Sequence, residues 1–148
     1  MDTVFRILLV EDNPGDVRLT KEALQSCKIV HELVVVGNGQ TALAFLRGES
    51  PYAHPHRPDL VLLDLNLPIM DGRQLLEEIK HDPVLRNIPV VILTGSTAQE
   101  DILRTYDLHA NGYIAKPVDP EQFFAVIQKI EAFWVSVVVL PARKNSDW

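Results

Sequence analysis

The chain has 148 residues, of which 47% are hydrophobic and 23% charged, with a formal net charge of -6. That length suits one sizeable core rather than two, and the acidic balance lacks the basic footprint needed to hold nucleic acid or an anionic membrane. The single cysteine, Cys27, excludes an internal disulfide; with no basic leader and no apolar run of membrane-spanning length, the expectation is a cytoplasmic protein whose partners are other proteins.

Residues 4–10 form a short run rich in Val, Ile and Leu, the pattern of a buried strand. Val17, Thr20, Ala23, Leu24 and Cys27 then recur at helical spacing, with Pro14 near the start of the segment. A second strand is predicted over 32–36. Asn38-Gly39 has the composition of a hairpin turn, but a hairpin would break the alternation, so Asn38 reads as the cap of a helix carrying Ala42, Phe45 and Leu46. Residues 48–58, with Pro51, Pro55 and Pro58, read as an extended surface loop. His54 and His56 within it have no companion ligands and read as exposed side chains rather than a metal site.

The third strand is 60–63, and Leu75, Leu76 and Ile79 after Gly72 mark the third helix. Residues 90–93 make the fourth strand. Thr97 followed by Glu100 is a capping box opening the fourth helix. Residues 113–115 make the fifth strand, and from Asp119-Pro120 a stripe of Phe123, Ile127, Ile130 and Trp134 marks the fifth helix. All five strands read as buried. Five βα units with right-handed crossovers predict an α/β fold, a doubly wound five-stranded parallel sheet with five helices.

Ligands of open α/β sheets bind beyond the carboxyl ends of the strands, and the charged residues of this chain gather there. Glu11-Asp12 follows the first strand, Asp64 the third and Lys116-Pro117 the fifth, while Thr94 ends the fourth. Carboxylates about 5 Å apart repel by on the order of 3 kcal/mol per ionised pair at an effective dielectric near 20, so a cation belongs with them. Magnesium suits hard oxygen ligands and keeps part of its water shell. With Lys116 as a second positive charge, the site would neutralise an incoming phosphoryl group and leave Asp64 as its nucleophile. The Thr94 hydroxyl would bond a phosphoryl oxygen and draw its loop inward.

Together Glu11-Asp12, Asp64, Thr94 and Lys116-Pro117 resemble the receiver domain of two-component response regulators, over about residues 4–130. That resemblance implies the flavodoxin-like strand order 2-1-3-4-5. It implies that Asp64 accepts phosphate from the phosphohistidine of a sensor kinase, that Asp12 and Asp64 hold Mg2+ directly with the Asn66 backbone carbonyl, and that Glu11 acts through water. Tyr113 falls at the family's aromatic switch position, and Lys116-Pro117 at its cis peptide. Tyr106 to His109 and the segment 133–141 are similar to small regulators paired with phytochrome histidine kinases. In that subgroup a homodimer forms through the fourth helix, fifth strand and fifth helix, which implies contacts from Tyr106, Phe133, Trp134, Val137 and Leu140. The receiver would span 1–133, with a C-terminal extension over 134–148 sharing in the dimer contact.

Taken singly, an acidic pair after a strand is usually a solvated turn, and a strand aromatic such as Tyr113 is usually core; the joint placement carries the argument. A haloacid-dehalogenase-like phosphatase would need an acid two residues after its nucleophile, and that position is Asn66. A phosphate-independent pseudo-receiver scaffold would not need the acidic pair, Asp64, Thr94 and Lys116. The expected protein is therefore a phosphoacceptor in signalling whose chemistry is limited to its own acyl phosphate. One departure from the family is Gly95, where many receivers carry alanine; glycine keeps access to the phosphoryl group but loosens the loop.

Overall fold

The computed structural model describes residues 5–26, 31–49, 57–95 and 109–116, together with 121, 122, 124, 125 and 128. Its elements run β1 (Phe5–Val10), α1 (Pro14–Ser26), β2 (His31–Val36), α2 (Gly39–Leu46), β3 (Leu60–Leu63), α3 (Gly72–His81), β4 (Val90–Thr94) and β5 (Gly112–Ala115). Residues 121, 122, 124, 125 and 128 are helical, as expected for the last predicted helix. Cys27, His54, His56 and the helix predicted to open at Thr97 lie outside the described residues. Among the described residues no helix is long and apolar enough to cross a membrane.

The strands pair in parallel in the order β2-β1-β3-β4-β5. Alternation along each strand divides the apolar side chains between two layers. Leu8, Val10, Val61, Leu63 and Ile92 face one way and meet Leu43, Leu46, Leu75, Leu76 and Ile79 of α2 and α3. Ile7, Leu9, Leu60, Leu62 and Leu93 face the other and meet Ala23 and Leu24 of α1. Burying each such Leu or Ile contributes roughly 2 kcal/mol relative to exposure. Central β1 and β3 are apolar on both faces because helices cover both.

One expectation fails here. β2 is not a buried strand: Val34 and Val35 are 40% and 37% exposed, and Val36 is its buried residue. Its run of valines reads like a core strand, but strand order puts it at the sheet edge, where among the described residues only β1 pairs with it.

The expected helix start at Asn38 is present, its Oδ1 accepting from the Thr41 N–H at 2.7 Å. At the other end of the sheet, Lys80 on α3 donates to the carbonyls of Arg86 and Ile88 at 3.1 and 2.9 Å and to Asn111 Oδ1 at 3.3 Å. Asn111 Oδ1 also accepts from the Val90 N–H. This tie joins α3 to the starts of β4 and β5, leaving the carboxyl edge as the end where acidic groups gather.

Candidate functional site

Glu11 and Asp12 leave the sheet at the end of β1, and Asp64 leaves at the same edge from the end of neighbouring β3. Two backbone hydrogen bonds fix these exits: Glu11 N–H to the Val36 carbonyl at 2.9 Å and Asp64 N–H to the Val10 carbonyl at 3.0 Å. Glu11 is 3% exposed and Asp64 5%, whereas Asp12 faces solvent. Each of the three brings a carboxylate oxygen within 4.8 Å of the other two. This all-oxygen donor set, with two buried carboxylates and one open to water, fits a small hard divalent cation.

The loop after Asp64 is held from both sides. Gly72, at the start of α3, donates its N–H to the Leu65 carbonyl at 2.9 Å. A Cβ on Gly72 would lie 2.2 Å from the Asp64 carbonyl oxygen, and one on Gly39 would lie 2.5 Å from that of Met70. Asn66 is exposed, and its N–H reaches Asp64 Oδ1 at 3.3 Å. Between Pro68 and Met70 the chain closes through a Met70 N–H to Pro68 carbonyl bond of 2.7 Å, with Ile69 at φ 68°. A β-branched residue rarely adopts that left-handed conformation.

Lys116 reaches back from the end of β5, two strands away from β3. Its Nζ lies 2.5 Å from Glu11 Oε1, 2.8 Å from Asp16 Oδ2 and 3.4 Å from Asp64 Oδ2. The ammonium therefore stands among three carboxylates. Burial opposes its charge, but the hydrogen bonds to Asp16 and Glu11 and the charges of Asp64 and Glu11 outweigh this and raise its pKa. Burial pushes the Glu11 carboxyl up to about 7; the Lys116 hydrogen bond opposes the shift and the Asp64 charge adds to it.

Asp16 was missed in sequence. It sits in the first turn of α1, where an acid is expected merely to complement the helix dipole, and its backbone N–H donates to Asn13 Oδ1 at 3.0 Å. Of the predicted site residues, Glu11, Asp12, Asp64 and Lys116 meet. The Thr94 backbone ends β4 at the same edge, paired with Ala115, while its side chain lies outside the described atoms. Tyr113 is partly buried and packs against the core on the α2 and α3 side. Pro117, Tyr106, Phe133, Trp134, Val137 and Leu140 lie outside the described residues.

The Glu11 shift has a measurable sign. Its folded value near 7 stands above its ordinary 4.5, so folding favours the protonated form. The stability this group contributes is complete below the unfolded value and is lost as pH rises through the folded one. A cation held beside this carboxylate by Asp12 and Asp64 disfavours that proton electrostatically. In melting experiments with chelator or with Mg2+, we expect the metal-induced rise in Tm to be several degrees larger near pH 8 than near pH 5. An equal rise at both would contradict the assignment.

A family model described as the response regulator receiver domain matches residues 7–128. The response regulator Rcp1 of Synechocystis sp. is 47% identical over 136 residues, covering 92% of each chain. Among solved structures, the phosphorylated cyanobacterial phytochrome response regulator RcpA is 50% identical with a TM-score of 0.79, covering 95% of this chain and 100% of its own. The Mn(2+)-bound form of Rcp1 is 46% identical with a TM-score of 0.76, covering 93% and 99%.

Proposed function

The chain belongs to the response regulator receiver family, and from that premise we propose that Asp64 accepts a phosphoryl group from the phosphohistidine of a phytochrome-type sensor kinase. The observation that carries this reading is the meeting, at one sheet edge, of the Glu11, Asp12 and Asp64 oxygens with the Lys116 ammonium. In the transfer an Asp64 carboxylate oxygen forms a bond to phosphorus. The P–N bond of the donor breaks, and its electron pair returns to the imidazole.

This chain's residues divide the work. Asn66 N–H holds Asp64 Oδ1, and the Val10 carbonyl anchors the Asp64 backbone, so the nucleophile is oriented before the donor arrives. Asp12, Asp64 and the Asn66 carbonyl would hold Mg2+, with Glu11 acting through water. Bound there, the ion would supply positive charge to the phosphoryl oxygens. Lys116 offers its charge from the far side, and the Thr94 hydroxyl would take a phosphoryl oxygen, with Tyr113 following its loop inward.

The phytochrome pairing rests on the likeness to RcpA, named as a phytochrome response regulator. Its output would be an altered face of the fourth helix, β5 and the fifth helix, with Tyr106, Phe133, Trp134, Val137 and Leu140 in a homodimer contact. Phosphotransfer tests the pairing: autophosphorylated phytochrome-type kinase, mixed with this protein and Mg2+, is expected to pass its label to an alkali-labile acyl phosphate. Labelling by acetyl phosphate but not by such kinases would retain the acceptor and refute the pairing.

A further inference from the structure

Among the described residues the Lys116 ammonium has three carboxylate neighbours, and the acceptor is the farthest of them. Glu11 and Asp16 take hydrogen bonds of 2.5 and 2.8 Å, while Asp64 Oδ2 stands at 3.4 Å. Asp16 is held in place by the first turn of α1, its backbone N–H bonded to Asn13 Oδ1. A phosphoryl group on Asp64 would put new anionic oxygens beside the ammonium, and to reach them Lys116 must weaken one of its present bonds.

Burial decides which bond is given up. The Glu11 side chain is 1% exposed, so losing the ammonium would leave its oxygens without a partner that water could replace; the Asp16 side chain is 31% exposed and can be rehydrated. We infer that Asp16 is a positioning residue that holds the Lys116 ammonium away from Asp64 in the resting protein and so slows phosphoryl acceptance. Asp16 touches neither the acceptor nor the donor, and it acts through Lys116. This inference rests on the acceptor role of Asp64.

The test is a double-mutant cycle read by single-turnover labelling with acetyl phosphate and Mg2+, in which Asp64 gains the phosphoryl group and acetate leaves. Asp16→Asn removes the competing charge and is expected to accelerate labelling about fivefold, the size of one partly screened ion pair. Asp16→Glu, which keeps the charge, is expected to stay within about twofold of wild type, and Asp16→Ser to behave like Asp16→Asn should the amide disturb the helix start. In a Lys116→Met background the gain from Asp16→Asn is expected to vanish, because the group it acts through is gone.

An Asp16→Asn rate equal to or below wild type overturns the inference, as does an equal gain in both backgrounds, which would report only a less negative pocket. Asp64→Asn in the same assay separates the two levels. If that variant still labels, the acceptor reading fails. If it does not label and Asp16→Asn matches wild type, the positioning role alone fails.

Discussion

Replacing Asp64 by asparagine is expected to abolish labelling by acetyl phosphate or by a cognate kinase while leaving the protein folded and more heat-resistant in metal-free buffer. The two halves of this result come from one geometry. Asp64 is 5% exposed and shares its edge with buried Glu11, so above about pH 7, where Glu11 is ionised, the resting pocket holds like charges in a poorly hydrated space. Two ionised carboxylates about 5 Å apart at an effective dielectric near 20 repel by roughly 3 kcal/mol. Asparagine keeps the shape, can still accept from the Asn66 N–H at Asp64 Oδ1, and removes that repulsion.

Part of the gain is offset by the lost attraction to Lys116 at 3.4 Å, so a Tm increase of a few degrees is the expected size. Addition of Mg2+ should raise the Tm of wild type and do much less for the variant, because one oxygen ligand has lost its charge. Intact mass gives the chemical readout: one added phosphoryl group in wild type, none in the variant. Stoichiometric labelling of a folded Asp64→Asn protein would remove Asp64 from its proposed role.

Gly72→Ala carries the second large effect, and here two principles oppose each other. Within a helix, alanine is favoured over glycine by about 1 kcal/mol, so propensity alone predicts a more stable protein. The added Cβ, however, would stand 2.2 Å from the Asp64 carbonyl oxygen, 2.6 Å from the Leu65 Cα and 3.0 Å from the Asp64 carbonyl carbon. These are backbone atoms, which no rotamer change can move aside.

Overpacking of this kind costs about 3 kcal/mol where the surroundings cannot yield, so the net loss expected is about 2 kcal/mol. For a chain of this length that is a fall in Tm of roughly 4–8 °C. Phosphorylation should slow as well, since the shift that relieves the contact runs through the Asp64 carbonyl and the Leu65 backbone. Gly37→Ala is the control: a Cβ there meets nothing within 4 Å, and little change in Tm is expected. If Gly72→Ala melts at or above wild type, the close approach of α3 to the acceptor loop is wrong.

Gly72 shows where the sequence stops being readable. As a letter it marked only a helix start, yet its missing side chain lets α3 sit directly on the loop that carries Asp64. The cap at Asn38 was legible because it is local: its side chain bonds Thr41 only three residues away. Lys116 and Asp16 are separated by 100 positions and pair only because β5 and the start of α1 finish at the same edge. Tyr113 was legible as a strand aromatic, and its partial burial against the core depends on its pairing with Ile92.

By itself the sequence determined the five strand segments and the first three helices, since apolar periodicity is a property of each segment read alone. It also determined that Glu11, Asp12, Asp64 and Lys116 stand at strand ends, because each directly follows an apolar run. Only the tertiary structure decided that β2 is a half-exposed edge, that Gly72 must lack a Cβ, and that Asp16 shares the Lys116 ammonium. The physical reason is that periodicity states which side of an element is apolar. Lateral neighbours, and the charges they bring within hydrogen-bonding reach, are fixed only when the crossovers set the order of the sheet.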